Sequence, residues 1–240
     1  MQLSGKTVLV TGSTDGIGAQ LIRQLRDKGA NVIASGRNPE RIAATRADGF
    51  EVIEADLSTP AGVDALLAGL GDRPIDALVN NAGVGTSYDF RSGEVDLAGA
   101  GTTYFLNLHA PTLLIARLLP MLKSRGEAMI VNVTSGLAIA PNAGSPVYCA
   151  SKAGLRSYTL AIRAQLKGTG VKVVEALPPL VDTQMTAGRG SNKMSPAECA
   201  RQIVSGMASG KETINVGMVK ILQLVHSISP ALARSIMVRF

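Results

Sequence analysis

Short runs rich in β-branched residues alternate along the chain with stretches whose apolar residues recur at helical spacing. The runs Lys6–Thr11, Asn31–Ser35, Glu51–Glu54, Ile75–Val79, Ala128–Thr134, Val171–Glu175 and Thr213–Val216 read as strands. Ala19, Leu21, Ile22 and Leu25 mark the first helix. Others are expected from about Glu40, from an unfixed start in the Gly-rich Gly83–Thr103 stretch, firm by Tyr104, to about Lys123 with Pro111 inside, from Tyr148 to about Lys167, and from Pro196. Strands joined by helices need crossovers, and right-handed crossovers build a parallel sheet. The expected class is α/β: one doubly wound parallel sheet of about seven strands with helices on both faces. No repeat or linker interrupts the pattern, so residues 1–217 are expected to form one domain. Residues 218–240 form an apolar extension: Val219–Val225 is mostly apolar, Ser229-Pro230 is a helix start, and Leu232, Ile236 and Phe240 recur every four residues. Such a stripe needs cover. Packing on the domain or on a partner subunit is expected, with in-plane membrane contact as the alternative.

Length and composition fit this reading. A chain of 240 residues suits a single α/β unit with a full core. With 46% hydrophobic and only 3% aromatic residues, that core must be built from Val, Ile, Leu and Ala. The Met1-Gln-Leu-Ser-Gly-Lys start has no signal-peptide apolar region, and no uninterrupted apolar run reaches the ~20 residues of a membrane span. A cytoplasmic protein without a transmembrane segment is expected. The net charge of +6 comes without an Arg/Lys run or a base-stacking aromatic set, so no nucleic-acid partner is expected, whereas an anionic cofactor would suit it. Cys149 and Cys199 lack metal-ligand spacing and read as reduced structural thiols.

The chemistry centres on Tyr148-Cys-Ala-Ser-Lys152. On a helix the phenol and the ammonium lie on one face, one above the other. A free Tyr titrates near pH ~10, and a fixed cation nearby favours its phenolate. Taken alone the pair also fits a surface Tyr beside a surface Lys. What separates the readings is that Gly12, Arg37, Asp56, Asn80, Ser135 and Pro178 all fall at or just beyond the carboxyl ends of expected strands, where open α/β sheets bind ligands. The turn Gly12-Ser-Thr-Asp-Gly16-Ile-Gly18 between strand and helix suits a pyrophosphate at the helix N-terminus. After the second strand stands Arg37 rather than the acid of an NAD-specific fold, which favours NADP(H) through its 2′-phosphate; Asp15 runs against this. Residue 111 is proline and has no N–H for the carbonyl of Asn107, so the helix is expected to kink there. His109 reads as a packing or surface residue.

With Thr11-Gly-x-x-x-Gly-Ile-Gly18, Asp56, Asn80-Asn-Ala-Gly83, Asn107, Ser135, Tyr148-x-x-x-Lys152 and Pro178-to-Thr183 in view, the chain resembles the short-chain dehydrogenase/reductase family over nearly its whole length. Ser135-Gly-Leu-Ala and Pro178-Pro-Leu-Val-Asp-Thr are most similar to a bacterial subgroup labelled as oxidoreductases of D-alanine esterification. The resemblance implies a Rossmann-like domain, hydride transfer between NADP(H) and a small-molecule carbonyl or alcohol, and a homodimer or homotetramer. It implies that Tyr148 is the acid/base, that Lys152 lowers its pKa and holds the ribose, that Ser135 binds the substrate oxygen, and that Asn107 holds a water linked to Lys152. It places the cofactor on Gly12, Ser13, Thr14, Asp15, Gly16, Ile17, Gly18, Arg37, Asn38, Asp56, Leu57, Asn80, Ala82, Gly83, Tyr148, Lys152, Pro178, Val181 and Thr183, with Asn80 and Ala82 in contact through the backbone at most. Two departures bear on substrate shape and assembly: Pro179 stands where the family has Gly, and Gly93–Gly101 replaces a polar helix face. A non-catalytic NADP(H) sensor and a peripheral-membrane reductase of lipid carbonyls are the alternatives.

Overall fold

A computed structural model describes residues 1–86, 89–90, 95–188 and 190–239. Its centre is a seven-stranded sheet in the order β3-β2-β1-β4-β5-β6-β7, parallel throughout. The strands are β1 Thr7–Val10, β2 Asn31–Gly36, β3 Glu51–Glu54, β4 Ala77–Asn80, β5 Ala128–Val133, β6 Val171–Leu177 and β7 Thr213–Asn215. The helices are α1 Gly16–Asp27, α2 Pro39–Ala47, α3 Pro60–Leu70, α4 Leu97–Tyr104, α5 Ala110–Ser124, α6 Pro146–Gln165, α7 Pro196–Ala208, α8 Val219–Ile228 and α9 Pro230–Met237. Four of the starts combine a side-chain N-cap with proline in the first turn: Asn38-Pro39, Thr59-Pro60, Ser195-Pro196 and Ser229-Pro230. Proline fits there because its missing N–H would be unpaired anyway.

Alternation along the strands makes two cores. Val8, Val10, Val79, Val131 and Val174 face α1, α2 and α7, meeting Leu21, Leu25, Ile42 and Ile203. Leu9, Leu78, Ile130 and Val173 face α3, α5 and α6, meeting Leu66, Leu114, Leu122 and Ile162. With both faces covered, the strands read as nearly continuous apolar runs. Strand order reverses between β1 and β4, and that switch point opens the crevice in which the candidate residues gather.

The helix whose start the glycine-rich sequence leaves open, and which is firm by Tyr104, begins at Leu97, where Asp96 caps it. At Phe105–His109 it widens into a π turn, with the Ala110 N–H donating to the Phe105 carbonyl five residues back. Pro111 accounts for this, since it cannot close the ordinary bond to Asn107. His109 packs against Phe105, ring centroids 5.1 Å apart. The continuous stretch Leu97–Ser124 is long and apolar enough by length and composition to cross a membrane. Here it is a core element, with Leu114, Leu118 and Leu122 buried against the sheet. Gly93 and Glu94 of the glycine-rich region lie outside the described residues.

The extension is rooted in the domain. Val219 and Ala233 are buried, and a Cβ on Gly136 would lie 2.9 Å from Val219 Cγ2 and 3.6 Å from Leu222 Cδ2. Ile221, Leu224, Ile228, Leu232 and Ile236 remain exposed. Phe240, the end of the expected stripe, lies outside the described residues.

Candidate functional site

The cleft at the carboxyl ends of β1, β2, β4, β5 and β6 has a volume of about 480 Å³. One end is the β1–α1 turn. Gly12 has φ +60°, and a Cβ there would lie 2.7 Å from the Cα of Ala82; a Cβ on Gly18 would run into the Gly12 carbonyl. Only glycine permits this closeness, which leaves an open cradle at the start of α1. Asp15 caps that helix, accepting from the Gly16 N–H at 2.7 Å. Ser35 Oγ, buried on the cleft wall, has no hydrogen-bond partner among the described residues. A glycine cradle at a helix start, an unpaired buried hydroxyl and nearby arginines fit a dinucleotide.

Arg37 pairs with Asp56 at 3.2 Å, and Arg41 pairs with Asp15 at 2.9 Å and hydrogen-bonds Gln184. Asn38 accepts from the Arg41 N–H at 2.9 Å, which sets the first turn of α2 at the cleft edge. The Asp56 carboxyl stays below its usual range although desolvation opposes this, because Ser58 donates to it and Arg37 stands beside it. Arg41 was absent from the expected set, although its place three residues after an N-cap put it in the first turn. It neutralises Asp15, the one acid that had spoken against a 2′-phosphate.

At the other end α6 presents Tyr148 and Lys152. Tyr148 and Ser135 stand side by side on the cleft wall, and the Ser135 Oγ accepts from the Leu137 N–H at 3.1 Å. Lys152 is 4% exposed, donates to the Val133 carbonyl at 2.8 Å and stands 6.0 Å from the centroid of the Tyr148 ring. Burial pushes the Tyr148 phenol above its ordinary value, partly offset by Ser135. Burial also lowers the Lys152 ammonium, to about 8. Desolvation thus raises the phenol, the opposite direction from the lowering expected of Lys152.

Gly12, Thr14, Asp15, Gly16, Ile17, Gly18, Arg37, Asn38, Asp56, Leu57, Ala82, Gly83, Ser135, Tyr148, Lys152, Pro178, Val181 and Thr183 all line the cleft. Three expected residues do not. Ser13 is buried behind the turn, donating to Val10 at 2.9 Å and accepting from the Ser35 N–H. Asn80 points into the sheet and donates to Asn132 at 2.8 Å; its neighbour Asn81 is the one at the cleft, bracing the glycine turn through Thr11 and Gly12. Asn107 is fully buried one layer back. Its amide accepts from Val84 N–H and donates to Val84 C=O, both at 2.9 Å, and donates to Ser151 at 3.0 Å. Sequence reasoning also missed Val84, Gly85 and Met185, where Met185 reaches over the cleft: a Cβ on Gly85 would lie 3.6 Å from its sulfur and 3.8 Å from the Tyr148 ring. The base of the Pro178–Met194 loop is pinned by a Val181–Met194 bridge and by Lys193 on Asp182 and the Thr186 carbonyl. Arg189 lies outside the described residues. Both thiols are free and buried.

A nucleotide crevice with a Ser, a Tyr and a Lys at its inner end defines a dehydrogenase class, and comparison identifies the family. The model of the short chain dehydrogenase family matches residues 6–194, and the chain belongs to that family. It is therefore an oxidoreductase dependent on a nicotinamide dinucleotide. An uncharacterized oxidoreductase, DltE of Bacillus subtilis (strain 168), is 37% identical over 224 residues, covering 89% of each chain. A short chain dehydrogenase of Burkholderia cenocepacia J2315 in complex with NADP superposes with a TM-score of 0.88 at 25% identity, over 99% of both chains. A short-chain dehydrogenase of Sphingobium yanoikuyae in complex with NADPH gives 0.83 at 26% identity, over 95% of this chain and 94% of that one.

Proposed function

We propose that the protein interconverts a small-molecule carbonyl and its alcohol with NADP(H), Tyr148 serving as general acid and base. The observation that carries this reading is the convergence of Ser135, Tyr148 and Lys152 at the inner end of a cleft whose outer end holds Arg37 and Arg41. Bound NADPH supplies the hydride. Tyr148, whose raised pKa keeps it protonated at neutral pH, gives its proton to the oxygen that becomes the hydroxyl. Ser135 is already an acceptor for the Leu137 N–H, so its own proton is available for that oxygen, where negative charge develops. Lys152 holds the ribose hydroxyls, and Asn107 acts from behind by fixing Val84. Arg37, Asn38 and Arg41 take the 2′-phosphate; Asp56 and Leu57 flank the adenine; the Gly12–Gly18 turn holds the pyrophosphate; Ala82, Gly83, Pro178, Val181 and Thr183 border the nicotinamide. Residues 1–217 form the catalytic domain of a cytoplasmic homodimer or homotetramer.

The test is a carbonyl panel followed by NADPH oxidation, repeated with NADH and with Tyr148→Phe. That variant keeps the ring and removes the acidic proton, so turnover is expected to fall ~10²-fold or more with cofactor binding intact. Turnover within a few-fold of wild type would remove Tyr148 from the mechanism.

A further inference from the structure

The apolar faces of β5 and β6 turn polar at one end. Ile130, Asn132 and Thr134 alternate onto the α6 side, as do Val171, Val173 and Glu175 on the next strand. Ile130, Val171 and Val173 pack with Ile162 of α6, but Asn132, Thr134 and Glu175 are 0%, 2% and 0% exposed and need polar partners. They find them on or toward α6, residue by residue. Asn132 donates to Thr159 Oγ1 at 2.9 Å. The Val133 carbonyl accepts from Lys152 at 2.8 Å. Thr134 donates at 2.8 Å to one oxygen of Glu175, whose other oxygen is held by Arg156 at 2.7 Å. Ser135 meets Tyr148. Tyr148, Lys152 and Arg156 are four residues apart on one face of α6: Tyr148 stands beside Ser135, Lys152 holds the Val133 carbonyl, and Arg156 reaches Thr134 through Glu175 of β6.

We infer that this ladder sets the register of Ser135 against Tyr148, with Arg156 and Glu175 as positioning residues for the reaction, a role that rests on the proposed function above. Neither residue lines the cleft. Energetics favour positioning over simple stabilisation. Desolvating a carboxylate costs several kcal/mol, and a buried ion pair only about repays it, so apolar residues would hold the layers equally well. What the pair adds is direction. With both oxygens engaged, the Glu175 carboxylate has one orientation, and it fixes the hydroxyl of the residue immediately before Ser135.

The decisive variant is Thr134→Val at the cleft wall, which keeps shape and β-branching and removes the hydroxyl that reaches Glu175 at 2.8 Å and the Ala176 carbonyl at 3.3 Å. Turnover is expected to fall about tenfold with cofactor affinity within about twofold of wild type, because a small misplacement at the reacting centre is costly. A second readout needs no substrate: with ¹³Cζ-labelled tyrosine, the Tyr148 resonance, assigned by its loss in Tyr148→Phe, should shift. Arg156→Met should produce the same shift, and Arg156→Lys should restore much of it. If Arg156→Met does not fold, Thr134→Val decides alone. A Tyr148 resonance unmoved in every folded variant, with only the melting temperature lowered, would overturn the positioning role. A wild-type protein that reduces nothing on the panel would fail the proposed function while leaving the resonance test in force.

Discussion

A buried lysine has to give up either its charge or its solvation, and Lys152, 4% exposed, keeps one carbonyl bond and a pKa lowered to about 8. In the unfolded chain the group titrates near 10.5. Between these values the unfolded state binds the proton that the folded state has lost, so this group's contribution to stability grows as pH rises from about 8 to about 10. Its functional effect has the opposite sign. The charged form, which the proposed mechanism uses at the ribose, is lost above about pH 8, while Tyr148 remains protonated. The pH profile of kcat/KM for carbonyl reduction is therefore expected to fall with a limb near 8, and Lys152→Arg, always charged, should move that limb upward even if it slows the enzyme. An identical limb in the variant would assign it to another group. At the outer end, Arg37→Glu and Arg41→Glu should each weaken NADPH relative to NADH by about tenfold or more, since charged hydrogen bonds contribute ~1.5–3 kcal/mol. The ratio of kcat/KM values for the two cofactors measures this, and the effect should shrink with added salt. An unmoved ratio would leave that arginine a surface charge. The inner set was legible because Ser135 and the Tyr148–Lys152 pair announce themselves by residue type and spacing. Asn80 was expected beside the cofactor at backbone level at most, and its side chain turns away because it shares the face of Leu78, which points at α3 and α5. Met185 carried no signal, since an apolar residue in a loop has no partner visible in one dimension.

Elements were easier to read than their junctions. All seven strands stand within two residues of the expected bounds, because a parallel sheet covered on both faces demands unbroken apolar runs. The start of α4 was not legible: a helix that opens Leu-Ala-Gly-Ala-Gly has little intrinsic propensity, and its Asp96 cap shows only once the turn is formed. Pro111 was different, because a missing N–H is certain from sequence; the expected kink is a π turn at Phe105–His109. That turn aims the Asn107 amide at Val84 and Ser151. Pro111→Ala restores the donor and lets the helix revert to regular pitch, turning Asn107 off its partners. Turnover is expected to fall several-fold with near-normal cofactor binding. The melting temperature should hold or rise, as a proline inside a helix can cost ~3 kcal/mol. Steady-state kinetics with calorimetry checks this, and unchanged kinetics would mean the π turn positions nothing.

The whole molecule raises the question of why the chain continues past its last strand. Val219 and Leu222 of α8 pack on Gly136, the residue after Ser135, and a Cβ on Gly217 would lie 3.6 Å from Pro179 Cγ at the cleft. The extension thus backs the turn that carries the Ser135 hydroxyl. Ending the chain after Gly217 removes buried Val219 and Ala233 and uncovers that turn. At ~25 cal/mol per Å² the lost burial is on the order of 2–3 kcal/mol, or roughly 5–10 °C in Tm for a chain of this size. Turnover should fall more than cofactor affinity, because the damage lies on the Ser135 side. The same truncation tests assembly. Ile221, Leu224 and Ile228 are 54%, 60% and 79% exposed along one face of α8, a stripe the domain leaves uncovered. Light scattering is expected to give a lower oligomer mass for the truncated chain, with neither form binding liposomes. Co-sedimentation of the full chain with anionic vesicles, abolished by the truncation, would assign the stripe to a membrane surface instead.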